Sequence, residues 1–319
     1  MSRLIFAQVI ARSGEFVDRL GPAFQVKIFR TFESAKALLS ATPDAFESLG
    51  GARIAAIGLQ QHVQSQGLDD LEENAVRFID YHENNEIQVA AIDDDDYPYI
   101  LSGAADAPLL LYWRGSLSGL EVASAAVVGT RSPTEIGLEI CDRVTSFLAG
   151  KGVGIVSGLA LGIDTVAHKS ALAANGYTAA VLAQSLKRGQ ISPGSNLALS
   201  EAILEAGGAL ISEHPLGAIT DRFEFARRDR IQSGLSRVVI PIQTDVKGGT
   251  QNTIAAAKKQ GRKIWVPEVQ SEVSQDKWNG IRELIDKKLA SPFSAANYQE
   301  ILSDAGTDHV AAPNLGLFP

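Results

Sequence analysis

Three segments in the middle of the chain carry residue types that suit the binding of a phosphate group. Each of the first two begins with an apolar run that favours a β-strand, breaks into small or polar residues and then enters a helical pattern. The runs end in Gly129-Thr130-Arg131 and in Ser157-Gly158. Where strands of a parallel α/β sheet end and helices begin, backbone N–H groups and the helix dipole favour an anion. Arg131 adds a planar cation with several donors.

The third segment combines arginines with aromatic rings. From Phe223 to Arg230 the sequence is FEFARRDR, and residues 221–237 contain five arginines and three acidic residues. This mixture suits single-stranded nucleic acid, because the cation holds a phosphate while a ring stacks on a base. A structural interpretation stays open, in which both Phe residues pack in the core and the arginines form surface ion pairs with Glu224 and Asp229. We expect at least one of Phe223 and Phe225 to be core.

No catalytic residue, cofactor site or metal site is predicted. The chain contains neither G-x-G-x-x-G nor G-x-x-x-x-G-K-[ST], so a dinucleotide cofactor and ATP hydrolysis lack support. Ser157, Asp164 and His168 could form a triad, but no G-x-S-x-G elbow is present, and Asp164 suits a helix N-cap better. The four consecutive aspartates at 93–96 indicate a solvated connection rather than a divalent-metal site.

The net charge of −8 is concentrated in the first part of the chain. Residues 1–120 hold 17 acidic and nine basic side chains, whereas residues 121–319 hold 20 of each. The local field within a Debye length of about 10 Å governs phosphate binding. The acidic balance therefore weakens a DNA-binding hypothesis without removing it.

Composition predicts a cytoplasmic protein. The single Cys141 excludes an intramolecular disulfide and a cysteine-cluster metal site. No secretory signal is recognisable, and no apolar run reaches the roughly 18 residues that a membrane helix needs, so no membrane contact is expected.

Regular alternation of apolar runs and helical patterns begins at residue 122. It predicts strands at about 124–128, 153–157, 177–182, 209–212, 237–242 and 263–266. The fold class predicted is α/β, a Rossmann-like, doubly wound and mostly parallel sheet with a small helical N-terminal domain. The domains predicted are 1–95 (helical), 96–302 (Rossmann-like) and 303–319 (a flexible tail).

Thr250 is the N-cap candidate for a helix that Gly261 ends. The three segments should converge on one edge of the sheet.

Over residues 30–302 the chain resembles the DNA-processing protein A (DprA/Smf) family. The resemblance is carried by Gly129-Thr130-Arg131, Ser157-Gly158, Gly162-Ile163-Asp164, His168, Ser212-Glu213, Arg228-Asp229-Arg230-Ile231 and Gly234-Leu235-Ser236. The chain departs from the family at Asp229, where an asparagine is usual, at Gln184 in a turn that is usually glycine-rich, and at Gly248. Residues 303–319 are too few for the winged helix that many members carry.

The resemblance implies a non-catalytic protein that binds single-stranded DNA and loads a recombinase of the RecA type, in recombination or DNA uptake. A homodimer is also implied. The predicted DNA-binding residues are Gly129, Thr130, Arg131, Ser157, Gly158, Lys187, Asn196, Arg228, Arg230, Gly249 and Thr250.

A rival interpretation is a nucleotide sensor or a nucleoside-phosphate phosphoribohydrolase of related fold. Such enzymes share a Pro-Gly-Gly-x-Gly-Thr-x-x-Glu motif, and Gly249-Thr250 matches its Gly-Thr. The position of the glutamate holds Thr253, so the catalytic carboxylate would be missing.

Overall fold

The computed structural model describes residues 2–17, 20–219, 221, 223–268 and 276–306. The strands in these ranges are β1 (Gln88–Ala91), β2 (Leu110–Gly115), β3 (Ser124–Val128), β4 (Gly154–Ser157), β5 (Thr178–Val181), β6 (Ala209–Ser212), β7 (Val238–Pro241), β8 (Lys263–Pro267) and β9 (Ser291–Phe293). The helices are α1 (Ser2–Arg12), α2 (Pro22–Thr31), α3 (Ala35–Leu39), α4 (Pro43–Glu47), α5 (Arg53–Gln66), α6 (Leu68–Glu83), α7 (Tyr99–Ser102), α8 (Glu135–Gly150), α9 (Ile163–Ala173), α10 (Leu197–Glu205), α11 (Glu224–Gly234), α12 (Thr250–Lys259), α13 (Asn279–Asp286) and α14 (Tyr298–Asp304).

The strands form one sheet in the order β1-β2-β6-β5-β4-β3-β7-β8-β9. The pairs β1–β2 and β2–β6 are antiparallel, and the other neighbours are parallel. The predicted Rossmann-like, mostly parallel α/β sheet is confirmed. The chain proceeds from β3 to one side through β4, β5 and β6 and later to the other side through β7 and β8. The topological switch point therefore lies beside β3, where sheets of this kind bind ligands.

Helices cover both faces of the sheet. On one face α8 and α9 bury a core that includes Cys141, Val144 and Ala167. On the other face α10, α11 and α12 share a larger core with the N-terminal helices. None of the helices in the described part of the chain is long and apolar enough to cross a bilayer.

The helical N-terminal part ends earlier than predicted. Helices α1 to α6 finish at Glu83, and β1 at Gln88–Ala91 already pairs with β2 in the main sheet. The aspartate run that follows contacts the N-terminal helices, since Asp93 pairs with Arg3 of α1 and Arg30 of α2 at 3.3 and 3.2 Å. Of the predicted tail, residues 303–306 complete α14 and the turn after it, and residues 307–319 lie outside the described ranges.

Candidate nucleic-acid interface

A pocket of about 440 Å³ opens at the switch point, at the carboxyl ends of β3 and β7. Residues from the first turns of α9 and α12 also line it, so two helix N-termini face the pocket and favour an anion. Its lining consists of Val128, Gly129, Thr130, Arg131, Ala160, Asp164, Phe225, Ala226, Arg228, Asp229, Gln232, Thr244, Asp245, Gly248, Gly249, Thr250, Asn252, Thr253 and Lys277. The predicted convergence of the three segments is thus present in the structure.

The loop after β3 is held in place from two sides. The backbone N–H of Thr130 donates to the carbonyl of Gln243 at 2.8 Å, which joins the loops after β3 and β7. Gly129 lies against helix α9, and a Cβ at this position would stand 2.6 Å from a side-chain carbon of Ile163. Glycine is therefore required here because a strand end and a helix approach closely.

A cation and an aromatic ring stand side by side at the rim. Arg131 is exposed, and its guanidinium carbon lies 5.4 Å from the centroid of the Phe225 ring. Lys277 adds a second cation near the loop, since its Nζ donates to the carbonyl of Ser132 at 2.5 Å. Phe225 is 43% exposed, so its ring is accessible to a ligand. This rim can hold a phosphate and stack on a planar group.

The floor of the pocket contains a buried cluster of charges. Arg228 is 5% exposed; its Nη1 donates to the carbonyl of Gly158 at 2.7 Å and also to that of Val181. Its Nε donates to Asp229 Oδ1 at 3.1 Å. On the other side of the same loop, the N–H of Gly158 donates to Asp164 Oδ2 at 3.1 Å. The cluster joins α9, α11 and the loop after β4.

Burial makes both carboxyl groups of this floor weaker acids than free aspartate. Desolvation raises the pKa of Asp229 to about 6, although the Arg228 guanidinium opposes this rise. Desolvation also raises the pKa of Asp164, again against the attraction of Arg228. Asp229 therefore changes its charge near neutral pH, at a position that lines the pocket.

The structure brings together six of the predicted DNA-binding residues in the pocket lining: Gly129, Thr130, Arg131, Arg228, Gly249 and Thr250. Ser157 and Gly158 lie directly behind the lining. The buried Ser157 hydroxyl donates to the carbonyl of Val127, and Gly158 contacts Arg228 and Asp164 through its backbone.

The other predicted residues are placed elsewhere. Asn196 is buried, and its amide donates to the carbonyl of Leu159 at 2.9 Å and to Thr165 Oγ1 at 2.8 Å, which positions the loop after β4. Arg230 bonds Glu213 and is outside the lining. Lys187 is exposed on the loop after β5, also outside the lining. Arg228 lines the floor, yet its Nε and Nη1 donors bond acceptors within the protein.

Two helix starts and one burial prediction need correction. Gly162 is the N-cap of α9 and Gly249 that of α12, so Asp164 and Thr250 lie inside the first turns. Asp164 instead accepts from the loop after β4. We expected at least one of Phe223 and Phe225 to be core, but they are 57% and 43% exposed, because α11 buries its polar face against the charged floor.

The suspected triad lacks its base, because His168 is not hydrogen-bonded to the other two residues. The Ser157 side chain hydrogen-bonds Asp164 and also donates to the carbonyl of Val127. His168 Nδ1 instead lies 2.7 Å from Thr178 Oγ1, and its Nε2 has no hydrogen-bond partner in the described part of the chain. Burial lowers the pKa of His168 to about 3, which keeps its imidazole neutral. The triad is excluded on this geometry.

Sequence reasoning missed several residues of the pocket. Lys277 comes from a segment remote in sequence, and Gln232 and Asn252 are polar residues inside helices. No local pattern distinguishes Lys277 and Gln232 from surface residues. Asn252 could have been found, because it follows the Gly249-Thr250 turn.

Comparison with known proteins decides the family. Residues 88–306 match the family model described as DNA recombination-mediator protein A. The chain belongs to this family. The match begins at β1 and ends in the turn after α14, so it contains the whole sheet and the pocket.

The curated relatives include Protein Smf of Escherichia coli, 40% identical over 173 residues, which are 54% of this chain and 46% of the relative. DNA processing protein DprA of Bacillus subtilis is 35% identical over 180 residues, which are 56% and 60% of the two chains. The matched region thus spans about half the length of these relatives.

Two solved structures are similar. DNA processing protein A of Streptococcus pneumoniae is 28% identical with a TM-score of 0.71, covering 92% of this chain and 95% of that one. DNA processing protein A of Helicobacter pylori, studied for its single-stranded DNA binding mode, is 28% identical with a TM-score of 0.59, covering 68% and 94%.

Proposed function

We propose that this chain binds single-stranded DNA in the switch-point pocket, without catalysis, and loads a recombinase of the RecA type onto the strand. The observation that carries the proposal is the pairing of exposed Arg131 with the Phe225 ring, 5.4 Å apart, at the rim of a pocket faced by two helix N-termini. The single-stranded DNA binding mode of the Helicobacter pylori relative supports it.

In this proposal the DNA backbone is held at the rim and a base is held beside it. Arg131 and Lys277 contact phosphate oxygens, with backbone N–H groups of Gly129, Gly249 and Thr250 as further donors. The Phe225 ring stacks on a base, which gives binding that tolerates base identity. The recombinase partner, the homodimer, a role in DNA uptake and a cytoplasmic location are proposed from family membership.

Arg228, Asn196 and Ser157 have a positioning role in the proposal. Their polar atoms are bonded to the loops behind the pocket and hold those loops in place. Arg230 is likewise assigned to its ion pair with Glu213 rather than to a phosphate. Lys187 is exposed and would contact only a strand that extends beyond the pocket.

The competing proposal is a nucleotide sensor, or a phosphoribohydrolase. A volume of about 440 Å³ is enough for one nucleotide. The enzyme version is weakened by Thr253, which stands where a catalytic carboxylate is expected and is buried, with its Oγ1 3.5 Å from Gln232 Oε1.

Fluorescence anisotropy with labelled oligo-dT tests the proposal. Arg131→Ala combined with Lys277→Ala should weaken binding at least about tenfold, since charged hydrogen bonds contribute about 1.5–3 kcal/mol each. Arg143→Ala is the matched control, because Arg143 is 68% exposed and, within the described residues, its ion pair is with Glu139 of the same helix. Unchanged affinity in the double variant would exclude this pocket, and competition by mononucleotides at equal concentration would favour the sensor.

A further inference from the structure

Two carboxylates and an imidazole converge at a second place, outside the lining of the switch-point pocket. Glu213 and His214 follow β6 directly, and Glu224 is the first residue of α11. One ligand atom from each of the three lies within 4.8 Å of the others. His214 Nε2 is 3.1 Å from Glu224 Oε2. Two donors at about 2.0–2.1 Å from one zinc ion are separated by a similar distance.

Two atoms of this cluster, one from Glu213 and one from His214, are buried and lack hydrogen bonds within the described residues. Glu224 is 8% exposed. Within the described part of the chain, Glu213 Oε1 and His214 Nε2 are buried and find no hydrogen-bond partner. The 3.1 Å contact to Glu224 does not have hydrogen-bond geometry, so neither atom is satisfied by the protein. Buried polar atoms without partners call for an explanation, and a bound ion is one.

Two arginines occupy the other oxygens of the carboxylates. Arg230 donates to Glu213 Oε2 and Arg227 donates to Glu224 Oε1. Glu213 Oε1 has no hydrogen-bond partner among the described residues, and Glu224 Oε2 lies 3.1 Å from the imidazole. Because the arginines balance both carboxylate charges, affinity must come from coordination chemistry rather than from net charge. This favours a transition metal that accepts imidazole over Mg²⁺ or Ca²⁺, which prefer oxygen ligands.

The ligands are presented on fixed backbone. The N–H of His214 donates to Ser212 Oγ at 3.0 Å, and the N–H of Leu216 donates to the buried His82 Nε2 at 2.8 Å. The three side chains also line a cavity of about 780 Å³ between the N-terminal helices and the sheet, which leaves space for a water ligand. A fixed backbone with an open position suits a metal site.

We propose that Glu213, His214 and Glu224 bind one zinc ion, which joins the end of β6 to the start of α11. The ion holds together the two ends of the connection that leads into α11, the helix that carries Phe225. This inference does not depend on DNA binding. The sequence pattern did not predict the site because its ligands come from two elements and lack a recognised metal-binding spacing.

Zinc titration of the metal-stripped full chain by calorimetry tests the proposal. One zinc ion per chain should bind, and His214→Ala should weaken binding at least about tenfold, because outer-shell changes alone cost about 10–100-fold. Zinc, but not magnesium, should raise the melting temperature of the wild type. His62→Ala is the control, because His62 lines the same cavity but stacks on Phe16 and is not one of the three converging residues, so its loss should leave the affinity unchanged.

Glu224→Gln separates coordination from folding. The amide keeps the shape of the side chain, so the metal-free variant should melt near the wild type while its zinc affinity falls. Equal zinc affinity in wild type and His214→Ala, or no saturable binding to the wild type, would overturn the proposal.

Discussion

Arg228 donates from Nη1 to the carbonyl oxygen of Gly158 at 2.7 Å, and this bond joins helix α11 to the loop after β4 at the floor of the pocket. The same guanidinium bonds Asp229, while the other side of Gly158 bonds Asp164. An arginine that the sequence presents as a DNA contact is thus the internal cation of a buried cluster.

Replacing this cation should destabilise the fold. Arg228→Met would leave Asp164 and Asp229 buried without their cation, and we expect a loss of about 3–5 kcal/mol in the free energy of unfolding. Urea denaturation followed by circular dichroism measures it. The exposed Arg143→Met should cost less than about 0.5 kcal/mol. A loss below about 1 kcal/mol for Arg228→Met would contradict the role of the cluster.

Two glycines of the site should respond differently to alanine. A Cβ on Gly158 would stand 2.2 Å from Arg228 Nη1, which is fixed by its own bonds, so Gly158→Ala should cost about 1–3 kcal/mol. Gly249 has a φ of −56° and no atom within 4 Å of such a Cβ, so Gly249→Ala should keep the wild-type melting temperature. Thermal melts of both variants decide this, and equal destabilisation would show that the loops are placed differently.

The free energy of unfolding should depend on pH because of Asp229. Its pKa is about 6 in the folded state, above the ordinary value of 3.8, so the native state binds more protons between these values. The stabilisation that Asp229 gives through this extra proton is fully present below pH 3.8 and is lost as the pH rises through 6. Asp229→Asn removes the charge that burial disfavours. It should therefore stabilise the protein at pH 7.5, by an amount on the order of 2–3 kcal/mol.

The prediction is checked by measuring the melting temperatures of wild type and Asp229→Asn at several pH values. The melting temperature of Asp229→Asn minus that of the wild type should be positive at pH 7.5 and smaller at pH 5. A difference that is constant from pH 5 to 7.5 would mean that the pKa of Asp229 is not raised.

DNA affinity should fall linearly on a log–log plot against salt. Each phosphate neutralised on a single strand contributes a slope of roughly −0.7, so three contacts give about −2. Arg131→Ala should flatten the slope by less than one unit. Titrations of oligo-dT at several salt concentrations test this, with duplex DNA as the comparison. A flat plot, or equal affinity for duplex, would argue against single-strand binding.

Removing the Phe225 ring should lower DNA affinity without lowering the stability of the fold. Phe225→Ala should weaken oligo-dT binding by a factor of about 5–150, from about 1–3 kcal/mol per stacked base. The melting temperature should stay near that of the wild type, because the ring is 43% exposed. The same loss for oligo-dA and oligo-dT is expected, whereas unchanged affinity would remove the ring from the site.

The alternating elements of the sheet followed from the sequence alone. The predicted strands at 124–128 and 209–212 agree with β3 and β6, and the other four agree within two residues. Strands of a parallel sheet are buried on both faces, so they appear as continuous apolar runs bounded by glycine and polar turns. The carboxyl ends of such strands share an edge, which is why Gly129 to Arg131 and Gly249-Thr250 could be assigned to one pocket.

Tertiary structure alone decided how each charged residue is used. Arg131, Arg228 and Arg230 are the same residue type on neighbouring surfaces of one edge, yet one is exposed and two bond internal partners. The side chain that each arginine contacts depends on which elements pack against it, and Arg230 contacts Glu213, which directly follows β6. Lys277 and the convergence of Glu213, His214 and Glu224 depend on contacts between distant segments. Local spacing carries no information on such contacts, because they form only when the sheet and its helices close around a common core.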